Sequence, residues 1–398
     1  MAAFPIKLSD DGTEVVDVSS DWLSEKLGTT VTSVSIEPYL NAGGLTSSMK
    51  KVSLTGEGDQ PLKTLVLKTI LKGEKLGVSK GMGLAREALF YNHFGSELSD
   101  DFSLPNVLHA WGDVQTGAKV LLMEDLSFTT QSGYFFGPGS PLNAGKDLDK
   151  IVAEAGGPTA EEIARLAFIS GARLHAKHWN QTQDLVSIPW LMRADWFRGE
   201  GREGFEAYQS RAADYWKQIR EKIKSDQTGV KWDANLVDIM DASMSKISWE
   251  RFQEERVAPG SFPVTLVHGD FHPANMMFSN TGGKQQLYVL DWEVVGIGSG
   301  PQDIGQYMIS HASPDFRRSC EEKLLREYHS ELTSQGVELT WEACKAEYVL
   351  GGAEKWFWML AYLAGSFPDG MAQYFQDQVA AFVNDHNLTP AMVSQPRM

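Results

Sequence analysis

Cysteine is almost missing from this chain: Cys320 and Cys344 are the only two in 398 residues. Two thiols cannot build a disulfide framework, so the composition points to a reducing compartment. Long apolar runs are missing too. The longest near the C-terminus, Trp356 to Phe367, falls short of the roughly 20 residues that a spanning helix needs. Residues 1–11 have neither a basic stretch nor an apolar core, so no signal peptide is expected. Positive charge is scarce: 36 Lys and Arg face 52 Asp and Glu, a formal net charge of −16. Phosphate backbones and anionic membranes select basic surfaces, so neither nucleic acid nor membrane is an expected partner. The acidic excess suits a cationic substrate, but ordinary solubility charge explains it as well. No internal repeat and no low-complexity tract is visible. A soluble, cytoplasmic protein is expected, and nothing in the sequence speaks to its oligomeric state.

What is present is a core. Hydrophobic residues make up 42% and aromatic residues 11%, enough for two sizeable lobes. Ser20 is placed to cap a short helix over Asp21–Leu27. Three strand-like segments follow, Val31–Tyr39, Ser48–Leu54 and Leu62–Ile70, in the pattern of an antiparallel meander. A helix is expected from about Gly83 to Phe94, then strands over Asn106–Trp111 and Lys119–Met123. These elements predict a small α+β lobe over residues 1–125, an antiparallel five-stranded sheet with one helix. Residues 128–145, rich in Gly, Ser and Pro, read as a long loop. The larger lobe, residues 126–398, is expected to be mostly helical: Ala160–Trp179, Gly204–Ile223, Asn235–Arg256, and three or four helices after Pro301. One island interrupts it, Pro263–Val295, with apolar runs at Val264–Val267 and Leu287–Leu290.

That island carries the chemistry. It reads Leu-Val-His268-Gly269-Asp270-Phe271-His272-Pro273-Ala274-Asn275, then Tyr288-Val289-Leu290-Asp291-Trp292-Glu293. An apolar strand delivers Asp270 into a tight loop, Asn275 offers an amide oxygen, and a second strand ends at Asp291. Phosphoryl transfer needs such groups: a carboxylate to orient the attacking hydroxyl and accept its proton, and oxygen ligands to hold Mg2+ against ATP phosphates. Asp270 is the candidate catalytic base, with Asn275 and Asp291 the candidate metal ligands. Either aspartate alone would read as a turn residue after a strand. The ordered set is far more specific.

At this point the sequence resembles the aminoglycoside phosphotransferase and choline kinase superfamily, which has the protein-kinase-like bilobal fold. Within it the chain is most similar to ecdysteroid-kinase-like and choline-kinase-like small-molecule kinases. The resemblance implies an ATP- and Mg2+-dependent kinase acting on a hydroxylated small molecule. It spans roughly residues 30–385, is strongest over 263–335, and is weakest over 127–157, read as an insertion, and over 180–260. In the smaller lobe, Lys68 sits in the apolar strand Thr64–Lys68, where a lone lysine is costly unless paired. Nineteen residues on, Glu87 lies on the expected helix. The resemblance implies that Lys68 grips the α- and β-phosphates and that Glu87 holds Lys68. The turn Asn41–Ser48 would bring Gly43, Gly44 and Ser47 close to phosphates, although it departs from the protein-kinase pattern of spaced glycines. The resemblance also implies a hinge at Glu124–Leu126, with the Glu124 carbonyl and the Leu126 amide bonding adenine. It implies a bracing role for Asp303 beneath the catalytic loop.

Histidines invite a metal reading that the sequence does not sustain. His175 and His178 lie three apart on a helix, but no acidic or thiol partner stands at ligand spacing, so both read as structural. His268 and His272 read as loop-bracing. Trp190, Trp196, Phe197, Tyr208, Tyr215 and Trp216 could line an acceptor pocket, and any single one is better read as helix packing. An inactive, nucleotide-binding kinase-like protein is an alternative class, but Lys68, Asp270, Asn275 and Asp291 are all present. A protein kinase is disfavoured because the catalytic segment lacks the usual Arg and the Asp-Phe-Gly sequence. The acceptor stays open among choline-like, ecdysteroid-like and aminoglycoside-like compounds.

Overall fold

The computed structural model describes residues 6–8, 14–16, 18–39, 47–70, 74–98 and 103–397. Two compact units form, one from Met1–Phe128 with Val289–Val294, the other from Thr129–Tyr288 with Val295–Met398. The second unit thus lends a short segment, which includes Asp291, to the first.

The first unit is built on a five-stranded antiparallel sheet. Its order is Ser33–Pro38, Ser48–Thr55, Pro61–Ile70, Ala118–Glu124 and Val107–Asp113. The five expected strands are therefore present, and the first three neighbour one another in chain order. Pro61–Ile70 lies in the middle and is buried from Leu65 to Ile70, in keeping with its apolar residues Leu65, Val66, Leu67 and Ile70. Leu65, Leu67, Val120 and Leu122 point to one face, where they pack with Val52, Leu54 and the helix residues Trp22 and Leu23. The other face faces the helix Arg86–His93, whose Glu87, Ala88, Phe90 and Tyr91 are buried. Gly112 allows this helix to approach: a side-chain carbon there would come within 2.6 Å of the Ala85 carbonyl. The first helix runs Ser20–Leu27, but its cap is Ser19, which accepts a hydrogen bond from Trp22 N, rather than the expected Ser20. A separate helix, Glu74–Met82, precedes the expected one. Its weak amphipathic pattern hid it.

The second unit is mostly helical, as expected, with helices Ala160–Lys177, Arg202–Lys224, Ala234–Ser245, Gly300–His311, Pro314–Ser334, Trp341–Ser366 and Asp369–Asp385 among its described residues. The expected continuous helix Asn235–Arg256 is broken. The helix Ala234–Ser245 stops short, and Ser248 caps a new short helix, Trp249–Phe252, with its hydroxyl accepting from Arg251 N. Strands Met276–Thr281 and Gly296–Gly298 add to the two expected in the island. The 128–145 segment is not a plain loop. Its Thr130–Gln131 pairs with Met277–Phe278, and two 3-10 turns follow, Ser132–Phe136 and Pro141–Asn143. Helices Gly300–His311 and Trp341–Ser366 cross at Gly305 and Gly352, nearly backbone to backbone. Among the described residues no helix is long and apolar enough to cross a membrane.

Candidate active site

The first unit collects five charged side chains. Lys68 stands opposite Leu121 in the sheet, and Lys119 opposite Ile70. Directly paired residues share a face, so both lysines project toward the helix that bears Glu87. Lys68 Nζ lies 2.8 Å from Glu87 Oε2, 2.7 Å from Asp291 Oδ1 and 3.3 Å from Glu293 Oε1. Lys119 Nζ lies 2.6 Å from the same Glu87 oxygen and also pairs with Glu293. The Asp291–Glu293 segment is anchored by Trp292, which stacks on Phe90 at 3.8 Å between ring centres and donates from Nε1 to the Val289 carbonyl. Asp291 itself adopts a left-handed conformation, φ 66°, which aspartate tolerates better than most residues. Burial alone would drive the Lys68 ammonium toward neutrality. Asp291, Glu87 and Glu293 outweigh it and hold its pKa well above the ordinary lysine value. Burial raises the Glu293 carboxyl, with the Asp291 and Glu87 charges adding to the effect against the two lysines.

This cluster grades from closed to open. Lys119 is fully buried, Glu87 nearly so, and Lys68 is 10% exposed, whereas 39% of the Asp291 side chain is open. Glu87, Asp291 and Glu293 each place an oxygen within 4.8 Å of the others. Such hard oxygen donors suit magnesium, and the half-open Asp291 is the one whose carboxylate a metal could reach. Ser47 is buried just before strand Ser48–Thr55, while Gly43 and Gly44 lie outside the described residues. Glu124 ends its strand with Oε1 accepting from Asn106 N, which leaves its carbonyl uncommitted to that contact, and Leu126 is buried two residues on.

The second unit holds the other group. Strand Thr265–Val267 pairs with Gly296–Gly298 and delivers His268, Gly269 and Asp270. Gly269 takes φ 81°, a turn that a side chain would strain. Asp303, in the first turn of Gly300–His311, accepts from His268 N at 2.8 Å and Gly269 N at 3.3 Å. This is the contact expected of a loop brace. Lys355 Nζ donates to the Gly269 carbonyl at 2.7 Å, and Ser132 and Gln131 donate to the carbonyls of Pro273 and Ala274. The Asp270 carboxylate is held at both oxygens: Gln306 Nε2 donates to Oδ1 at 2.8 Å and Asn275 Nδ2 to Oδ2 at 3.1 Å. His272 Nε2 stands 3.3 Å from the same Oδ2, and its ring stacks on His311 at 5.6 Å. Burial would raise the Asp270 carboxyl, but His272, Lys355 and His268 overcome it and hold the group far below the usual carboxylate range. Burial and Arg193 in turn lower Lys355 to about 8. Because Asn275 turns its nitrogen to Asp270, its amide oxygen is the atom left for a cation.

Residues 175–340 match the model of the ecdysteroid kinase-like family. The matched stretch holds Asp270, Asn275, Asp291 and Asp303, so the resemblance seen in the motif is borne out there. No curated protein matches the chain. Similar solved structures include a choline/ethanolamine kinase family protein from Mesorhizobium loti, 17% identical, covering 90% of each chain at a TM-score of 0.46. Choline kinase LicA from Streptococcus pneumoniae is 14% identical, covering 92% of this chain and 98% of that one at 0.46. The GDP complex of aminoglycoside 2'-phosphotransferase-IIIa is 14% identical, covering 89% and 94% at 0.45.

Within the ecdysteroid kinase-like segment the histidines behave as braces. His175 Nδ1 meets Tyr328 OH at 2.9 Å, and its Nε2 lies 3.7 Å from Asp303. His178 Nδ1 meets Gln181 Oε1 at 3.3 Å. The aromatic residues of 190–216 largely pack on other aromatic rings. Trp196 meets Phe205 and Phe252, Tyr208 stacks on Trp358, and Trp216 meets Trp232. The sequence reading missed Lys119, Glu293 and Gln306. Lys119 carried a usable signal, the same one that marked Lys68: a lone lysine in an apolar strand. Glu293 follows Asp291 by two. Gln306 follows Asp303 by three, one helical turn, and nothing else marked it.

Proposed function

We propose that this protein is an ATP- and magnesium-dependent kinase that phosphorylates a hydroxyl group of a small, non-protein metabolite in the cytoplasm. One observation carries the reading. Lys68 from a central strand, Glu87 from a helix and Asp291, 223 residues from Lys68 in the chain, meet in a single ion-pair cluster. A fold has little reason to bury a lysine between three carboxylates unless the charges serve a ligand, because desolvating them is costly. In this reading Lys68 binds the α- and β-phosphates and Glu87 holds it in place. The Glu124 carbonyl and Leu126 amide bond the adenine, and Gly43, Gly44 and Ser47 approach the phosphates. Asn275 and Asp291 hold the metal, which when bound neutralises phosphate oxygens.

Asp270 orients the acceptor hydroxyl. His272, Lys355 and His268 keep its carboxylate ionised and the donors of Gln306 and Asn275 fix its orientation, so it directs the hydroxyl by a strong hydrogen bond and takes the proton as the oxygen attacks. Choline-like, ecdysteroid-like and aminoglycoside-like alcohols all fit this chemistry. The test is a metabolite-extract screen with ATP and Mg2+, reading mass gain of one phosphate, with EDTA as control. A panel of protein substrates runs beside it. No small-molecule product, or phosphate on protein alone, would refute the proposal.

A further inference from the structure

The first unit contains one ion pair more than gripping a phosphate requires. We infer that Lys119 is a positioning residue of the nucleotide site, a buried cation that occupies Glu87 and Glu293 so that Lys68 is left to a polyphosphate. This rests on the proposed nucleotide role of Lys68. Lys119 cannot touch a ligand, because its side chain is fully buried. Whatever it does passes through the two glutamates it contacts.

Those glutamates are shared. Glu87 Oε2 sits 2.8 Å from Lys68 and 2.6 Å from Lys119, and Glu293 Oε1 contacts both lysines as well. The charges alternate around a closed circuit, with Asp291 attached to Lys68 on the open side. Two lysines against three carboxylates leave one net negative charge. Without Lys119 the same place would carry two, and Lys68 alone would answer three carboxylates. Two consequences follow. The site would repel a polyphosphate, and the unrelieved glutamates would pull the Lys68 ammonium inward. The sheet register supports a built arrangement: Lys68 and Lys119 are diagonal neighbours on adjacent strands and share a face. A lysine that only stiffened the fold would need one carboxylate, not the two that also hold Lys68.

The test uses the full chain, with MgATP, and ATP in EDTA, titrated by calorimetry while thermal unfolding is followed. One unit of charge about 6–12 Å away alters affinity for a polyanion by about tenfold to a hundredfold at an effective dielectric near 20. Lys119→Met should weaken ATP binding by that factor. Adding Glu293→Gln, which removes charge of the opposite sign, should recover most of the loss. Glu293→Gln alone should tighten ATP in EDTA by a comparable factor. A folded Lys119→Met protein that binds ATP like the wild type overturns the inference, as does a loss the double variant fails to recover. If Lys119→Met does not fold, Glu293→Gln decides: weaker ATP binding in EDTA refutes it. A wild type that binds no ATP, with or without Mg2+, removes the proposed function and this role together. Normal ATP binding with an unaffected Lys119→Met protein removes this role alone.

Discussion

The two units solve one electrostatic problem in opposite ways. Each must keep ionised groups partly out of water. In the first unit charge is set against charge: two lysines pair with three carboxylates at 2.6–3.3 Å, leaving one net negative charge. In the second, the neutral amides of Gln306 and Asn275 orient the Asp270 carboxylate while His272, Lys355 and His268 keep it ionised, and the backbone amides of its loop donate to Asp303. Ion pairs can exchange partners when a ligand brings its own charges. Amide dipoles fixed on a helix and a turn keep one carboxylate in one orientation. Under the proposed function, the contrast would suit a first unit that admits a polyphosphate and a second that aims one oxygen.

The largest effect should come from the second unit. Asp270→Asn keeps the shape and removes the base, so phosphoryl transfer should fall by about two to four powers of ten. ATP affinity should hold, since Asp270 lies in the unit without Lys68. Near wild-type turnover in the folded variant would end its assignment as base, and a matching loss of ATP affinity would blur the division of labour between the units.

A smaller loss is expected in the first unit. Lys68→Ala should reduce kcat/KM for ATP by roughly a hundredfold, the scale of losing one preorganised charge donor. Glu87→Ala should cost less, because Lys68 keeps Asp291 and Glu293 as partners. The double variant should be barely worse than Lys68→Ala, since residues acting through one contact are not additive. Strict additivity in the ATP kinetics, or a silent Glu87→Ala, would break the exchange-of-partners picture.

The smallest effect on activity, and the clearest on stability, concerns the brace. Burial would raise the Asp303 carboxyl, but the His175 ring beside it, together with His268 and Lys355, holds it below its usual value. A depressed folded-state pKa gives stability that is complete above the unfolded carboxyl pKa, about 4, and is lost as pH falls through the folded value. Asp303→Asn should therefore be less stable at pH 7 by about 2 kcal/mol. The gap should close as thermal unfolding is measured toward pH 3. A gap that stays constant with pH would show that Asp303 braces the loop by packing alone.

Local pattern made part of this legible. Alternation and apolar runs located the five strands, and the spacing of Asp270, Asn275 and Asp291 located the island, because both are short-range properties of the chain. Pattern missed the helix break before Ser248 and put the first cap at Ser20 instead of Ser19, since one side-chain hydrogen bond starts each helix and a neighbouring serine or an unbroken run looks equivalent. The 128–145 segment looked like a loop because its partners, Met277–Phe278 and the Pro273–Ala274 carbonyls, lie over 130 residues away.

By itself, then, the sequence determined which residue types could do this chemistry and on which elements they ride: a lysine on a buried strand, a glutamate on a helix, an aspartate in a turn after a strand. Desolvation enforces that much, because a lysine in an apolar strand must find carboxylates. Tertiary structure decided how many. Only the strand pairing of Pro61–Ile70 with Ala118–Glu124 puts Lys119 diagonal to Lys68 on one face, and only the stacking of Trp292 on Phe90 returns Asp291 and Glu293 to them from the far end of the chain. Gln306 reaches Asp270 for the same kind of reason: Asp303, one turn earlier on its helix, bonds the loop backbone. Partners brought together from distant or separate elements, Lys68 and Asp291 across 223 residues, leave no mark on local spacing, so their number was open until the chain had folded.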